Sequence, residues 1–200
     1  MSTTEPLLEI HVHLEDGRIA RFSQTTPDAV HKVIEPLQPS KLYSQHHFTI
    51  CAPDSLIVFP SARVVQLDFV GPDVPKWPHY RGIQRIQQLT SQEFQAQYDP
   101  VKSANAAYGL THTTYSGMEL TNGNQYYLEV TMGDSLDAAP PSPQEFNTFL
   151  QQLLTSTGLH FQRSGGGVSI INPAHIVRMS FYPGLSTAPP NAWPAAALPE

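Results

Sequence analysis

Apolar and polar positions alternate along residues 7–13 and again along 18–22, the period of a half-buried strand, with Leu14-Glu15-Asp16-Gly17 between the two runs. Asp-Gly signals a hairpin, and a type I′ loop there would place both central residues at positive φ. The same pattern returns later, where residues 113–119 and 124–132 flank Leu120-Thr121-Asn122-Gly123.

After each expected hairpin the period lengthens. Pro27 is followed by Val30, Val33, Ile34 and Leu37, and Pro143 by Phe146, Phe149, Leu150 and Leu153, at identical offsets. That spacing is the stripe of a helix lying on a sheet. Proline suits the first helical position, where its missing N–H costs nothing, and Thr26 and Ser142 are placed to cap. Pro36 is expected to end the first helix about a turn early.

Each helix leads into further extended runs. In the first copy these are 47–51 and 56–59, joined by Ala52-Pro53-Asp54-Ser55; in the second they are 159–163 and 168–171, joined by Ser164-Gly165-Gly166-Gly167. Prolines 60 and 173 then turn each chain into a last strand. The pattern predicts an α+β protein made of two diverged copies of a ββαβββ-like unit: hairpin, helix, antiparallel strands. The copies span about 7–71 and 112–184 and are expected to pack with pseudo-twofold symmetry, the second carrying an inserted loop over 133–142.

This divides the chain into a first unit over 1–71, a connector over 72–111, a second unit over 112–184 and a flexible Pro/Ala-rich tail over 185–200. In the connector, Thr90-Ser91-Gln92-Glu93 has the form of a capping box and predicts a short helix with Phe94 and Tyr98 on one side, ending before Asp99-Pro100. In the tail, Trp193 is expected to dock on its own domain rather than to anchor a partner.

Composition explains the punctuation. There are 19 prolines in 200 residues, about twice the usual share of roughly 5%, and they fall at helix starts, strand corners, connector, inserted loop and tail. Charged residues make up 14%, which excludes a charge-driven disordered chain. A net charge of -6 argues against nucleic acid or anionic lipid as broad electrostatic partners. The lone cysteine, Cys51, reads as a buried small hydrophobe. No basic region followed by an apolar run opens the sequence, and no apolar stretch reaches the roughly 20 residues of a membrane span. The expectation is a cytoplasmic protein with no membrane contact.

Two clusters carry candidate chemistry. His11 and His13 share one face of a strand and could hold a divalent metal if His47, His46 or Glu15 completed the set. The second copy has Gly117 and Glu119 at the matching positions, so such a site would be private to the first unit, and solvent-facing or edge histidines are the plainer reading. The run Lys76, Trp77, His79, Tyr80, Arg81, Arg85 is the one local mixture of rings and cations. It suits a small anionic ligand or a single nucleic-acid strand, or else rings that anchor the connector. Gly165-Gly166-Gly167 is followed by a strand, so it reads as a hairpin turn and not a phosphate loop. No nucleophile elbow, paired-cysteine or zinc-helix motif occurs.

The function these features favour is a non-catalytic interaction or scaffold module built by internal duplication, binding a protein partner or forming a homo-oligomer. No cofactor is required by that reading. The alternatives are a metal-dependent enzyme using His11, His13 and His47, and a ligand binder using the Trp77–Arg85 segment.

Overall fold

The computed structural model describes residues 5–52, 54–79, 83–97, 113–132, 143–182 and 193. The first half carries β1 (Leu8–Leu14), β2 (Ile19–Gln24), α1 (Pro27–Ile34), β3 (His47–Ala52), β4 (Ser55–Pro60) and β5 (Val64–Val70). Then come β6 (Ile83–Leu89), α2 (Ser91–Gln97), β7 (Thr113–Leu120), β8 (Gln125–Met132), α3 (Pro143–Thr155), β9 (Leu159–Gln162), β10 (Val168–Ile171) and β11 (Ile176–Tyr182). The protein is mixed α and β, with a large, mostly antiparallel sheet and few helices. Among the described residues, nine strands form that sheet in the order β11-β7-β8-β6-β9-β10-β5-β1-β2, while β3 and β4 pair only with each other. The parallel contact is β6 with β9, at Gln87 and Gln162.

Strands from both sequence units share this sheet. β10 pairs along β5, so the second unit is built directly onto the first. The two later hairpins also part company: β9–β10 lies within the large sheet, whereas β3–β4 leaves it.

The hairpin loops differ from the expected type I′ turn. Among the described residues no non-glycine has positive φ, while Gly17 and Gly123 have φ of 83 and 85. Gly17 N–H donates to Leu14 O and Leu14 N–H to Arg18 O; Gly123, Leu120 and Asn124 repeat both bonds. This is a three-residue loop, a turn closed by one left-handed glycine. The Asp16 and Asn122 side chains accept from the backbone N–H two residues on, which fixes the loop.

Thr26 caps α1 by accepting from Ala29 N–H, and the helix stops at Ile34, before Pro36. Thr90 and Glu93 form the expected capping box at α2, each side chain accepting from the other's backbone N–H. The Ser142 cap, Tyr98, the Asp99-Pro100 stop and the inserted loop lie outside the described residues, as does the Phe146 side chain. β6 is a strand the sequence reading missed. Its apolar residues recur every third position: a bulge between Ile83 and Arg85 sets Ile83 and Ile86 on the α3-side face, while Leu89, opposite Tyr127, is buried on the other.

Two cores form on opposite faces. Val30, Val33, Ile34 and Leu37 of the α1 segment, with Phe48, Ile50, Ile57 and Phe59 of β3–β4, cover Ile10, Val12, Leu67, Phe69, Val168 and Ile170. Leu153 and Phe149 of α3 cover Met118, Leu120, Leu128, Val130 and Phe161. The inward face of β3–β4 leaves positions 47, 49 and 51 outward, so Cys51 is exposed and not buried as its sequence context implied. Trp193 is 93% exposed, so it is not docked. Among the described residues no helix is long and apolar enough to cross a membrane.

Candidate functional site: a buried carboxylate and two histidines on one sheet face

Strands β1, β5 and β10 are neighbours, and side chains alternate between their faces. Their even or odd apolar positions point to α1. The opposite positions are polar: His11 lies across from Asp68, His13 across from Gln66, and Ser169 across from Asp68. Sheet pairing thus collects side chains separated by up to 158 positions onto one small area.

Asp68 is the centre of it, only 2% exposed. Its Oδ1 accepts from Gln66 Nε2 at 2.5 Å and from Ser169 Oγ at 2.7 Å. Its Oδ2 lies 2.8 Å from His13 Nε2 and 3.6 Å from the Arg163 guanidinium. Tyr126 donates its hydroxyl proton to Gln66 Oε1 at 2.5 Å, which orients the amide so that its N–H faces Asp68. A buried carboxylate is tolerable only with such a set of partners. Burial pushes the Asp68 carboxyl up, but hydrogen bonds from His13, Gln66 and Ser169 outweigh it and hold the group below its ordinary value. Burial, and then the Asp68 charge, push the Tyr126 phenol up to about 12, so Tyr126 remains a donor.

His13 is buried and His11 nearly so, neither solvent-facing nor on an edge strand. His11 Nε2 lies 2.8 Å from Glu9 Oε2 on the same strand. His11, His13 and Asp68 each present one donor atom, all within 4.8 Å of one another. Neighbouring ligands about 2.1 Å from an ion stand roughly 3 Å apart. The 2.8 Å hydrogen bond between His13 and Asp68 falls near that spacing.

The structure does not bring His47 to this group. His47 is exposed on β3, in the hairpin that covers the opposite face. Glu15 is engaged by Arg63 at 2.6 Å, and Ser61 N–H donates to the His46 carbonyl. The third donor is Asp68, which sequence reasoning passed over. A signal existed: Gln66 and Asp68 interrupt the apolar run Val64-Val65-Gln66-Leu67-Asp68-Phe69 at alternate positions, marking a polar face on a strand otherwise wholly buried.

The second cluster lies near the seam between β6 and β9. Lys76, Trp77, His79 and Arg85 meet there around a pocket of about 250 Å³, with Gln84, Gln162 and His160 as further lining. Tyr80 and Arg81 lie outside the described residues. The His79 and His160 rings stack at 4.3 Å and 11°, and Trp77 meets His160 edge to face at 6.3 Å. His160 donates Nε2–H to the Trp77 carbonyl, and His79 Nε2 accepts from Ile86 N–H, both at 3.3 Å. Burial, and then the neighbouring His160, push His79 down to about 4; burial also lowers His160. Trp77 packs against the α1-side core as well, so the anchoring role read from the sequence and the pocket share one ring.

Compared with models of protein families, with curated proteins and with solved structures, the chain matches none of them.

Proposed function

We propose that the protein binds a divalent transition-metal ion through His11, His13 and Asp68 and uses it for chemistry. One observation carries this reading: three donors from two adjacent strands converge within 4.8 Å on one face. Two histidines and one carboxylate leave coordination positions for water or substrate, the pattern of a working metal and not a structural one. Gln66 and Ser169 on Asp68 Oδ1 supply the outer hydrogen bonds that orient a ligating carboxylate, leaving Oδ2 toward the histidines. In place of the His11, His13 and His47 set, the reading uses Asp68.

Elemental analysis of protein purified without chelator tests it, together with melting in Zn²⁺, Mn²⁺, Fe²⁺ or EDTA. The expected result is stoichiometric metal and a melting temperature that falls in chelator, both lost in Asp68→Asn with His11→Gln. Metal-free protein whose melting is indifferent to all four additions overturns the proposal.

A second reading, the self-associating module, has its own support. Leu56 and Val58 on β4 are 65% and 51% exposed, and Val177 on edge strand β11 is 60% exposed. A second copy pairing there would cover them. Internal duplication belongs to this reading. The pairings β2-β1-β5 and β8-β7-β11 match, the two glycine loops match, and the strand corners meet where Asn172 Nδ2 donates to the Ser61 and Val64 carbonyls. A cytoplasmic setting, for either reading, is supported by the exposed unpaired Cys51. Light scattering of the protein and of Leu56→Asp/Val58→Asp decides: a dimer that the double variant dissociates is expected, and a monomer in both removes the reading.

A further inference from the structure

The pocket at the β6–β9 seam is independent of the His11–Asp68 face, since its residues lie on the other side of the sheet or in the connector. Side chains on β9 alternate, and Leu159 and Phe161 belong to the α3-side core, so His160 and Gln162 look the other way. Two ring platforms and two cations frame the cavity, and none of its described lining residues is acidic. Arg85 donates to Glu129 at 2.7 Å, which holds the guanidinium in place while its other N–H groups remain as donors.

We propose that this pocket binds a small aromatic anion, one flat ring bearing a carboxylate or phosphate. The ring lies against the His79–His160 stack and Trp77, and the anionic group meets Lys76 and Arg85. The volume, about 250 Å³, suits a single ring and its charged substituent and excludes a polynucleotide. Both imidazoles have one nitrogen tied to backbone, at Ile86 and Trp77, so the platform is set before a ligand arrives. Preorganisation of this kind lowers the ordering cost of binding. The amides of Gln84 and Gln162 add neutral donors and acceptors for ring substituents.

Benzoate is the probe, with acetate as charge without ring and benzyl alcohol as ring without charge. Trp77 emission is followed in a Trp193→Phe background, in EDTA so that any metal on the other face has no part. Benzoate is expected to quench Trp77 and to bind about tenfold more tightly than either control, with affinity falling as salt is added. Lys76→Ala and Arg85→Ala each are expected to weaken benzoate by about tenfold, with the unliganded melting temperature of Lys76→Ala unchanged. Benzoate no better than its controls, or unaffected by Lys76→Ala and Arg85→Ala, overturns the proposal. The imidazole NMR signals of His79 and His160 give a second readout: they shift on benzoate addition if the ring stacks there, and a quench without that shift also overturns it.

Discussion

His13 Nε2 stands 2.8 Å from Asp68 Oδ2, across the one boundary where β1 and β5 share a polar face. The pair has two uses for the protein. It satisfies a charge that burial alone would not permit, and in the proposed metal site it would supply two of the three ligand atoms.

Removing the carboxylate separates those uses from mere packing. Asp68→Ala leaves His13, Gln66, Ser169 and Arg163 facing an empty position, and removing a buried, hydrogen-bonded carboxylate from its partners costs about 3 kcal/mol. Urea unfolding measures it. A double-mutant cycle with His13→Ala should return a coupling of at least about 1 kcal/mol, and additive losses would show that the pair does not interact.

Arg163 competes with any cation at Asp68, because its guanidinium lies 3.6 Å from the same Oδ2. Arg163→Gln is expected to tighten Zn²⁺ or Mn²⁺ binding by about tenfold, since two unit charges a few ångströms apart repel appreciably even in a polar interior. Calorimetric titration of the variant checks this. Unchanged or weaker affinity would mean that Asp68 Oδ2 is not a ligand.

The stacked histidines predict a dependence on acid. The folded His79 gives up its proton near pH 4 against an ordinary value of 6.5, so the unfolded chain binds the extra proton between those values. Stability is therefore whole above 6.5 and declines as pH is lowered toward about 4. Asp68, whose carboxyl is held below its ordinary 3.8, adds its own loss only below that pH. Denaturant midpoints taken from pH 7 to 3 should show the two stages, and His79→Phe should remove much of the first. A flat profile down to pH 4 would contradict the stack.

Neighbouring leucines on α3 make a packing control. Leu153 is 2% exposed and Leu154 is 58% exposed. Leu153→Ala should cost about 3 kcal/mol through lost burial and a cavity, and Leu154→Ala should stay within about 0.5 kcal/mol. Equal losses in unfolding experiments would place the helix differently on the sheet.

Local features were legible where the cause was local. The glycine turns, the proline-led helices, the Thr90–Glu93 capping box and the corners at prolines 60 and 173 are each decided by residues within a few positions. The turn type at Asp16-Gly17 was not, because the Asp16 side chain satisfies the backbone of Arg18 and lets one glycine carry the left-handed step. β6 was hidden because its bulge, and the burial of Leu89 on the face opposite Ile86, together give a strand helical spacing. The proposed metal set was half legible: His11 and His13 announce themselves, but the choice of Asp68 over His47 depends on which strand lies beside β1. That is settled by pairing across 55 positions. Lys76, Trp77, His79 and Arg85 were visible as a run, while their partners His160 and Gln162 arrive from a strand some 80 positions away.

The pairing of β10 with β5 also has a consequence for a chain made from its N-terminus. Until residues 168–171 have been made, β5 has β1 on one side and a bare hydrogen-bonding edge on the other. Such an edge invites pairing with another chain. A nascent N-terminal half therefore carries a strand edge that only the later chain covers. Its buried aspartate gains Ser169 and Arg163 only from the last quarter of the protein, so in any shorter chain the carboxylate's set of partners is incomplete.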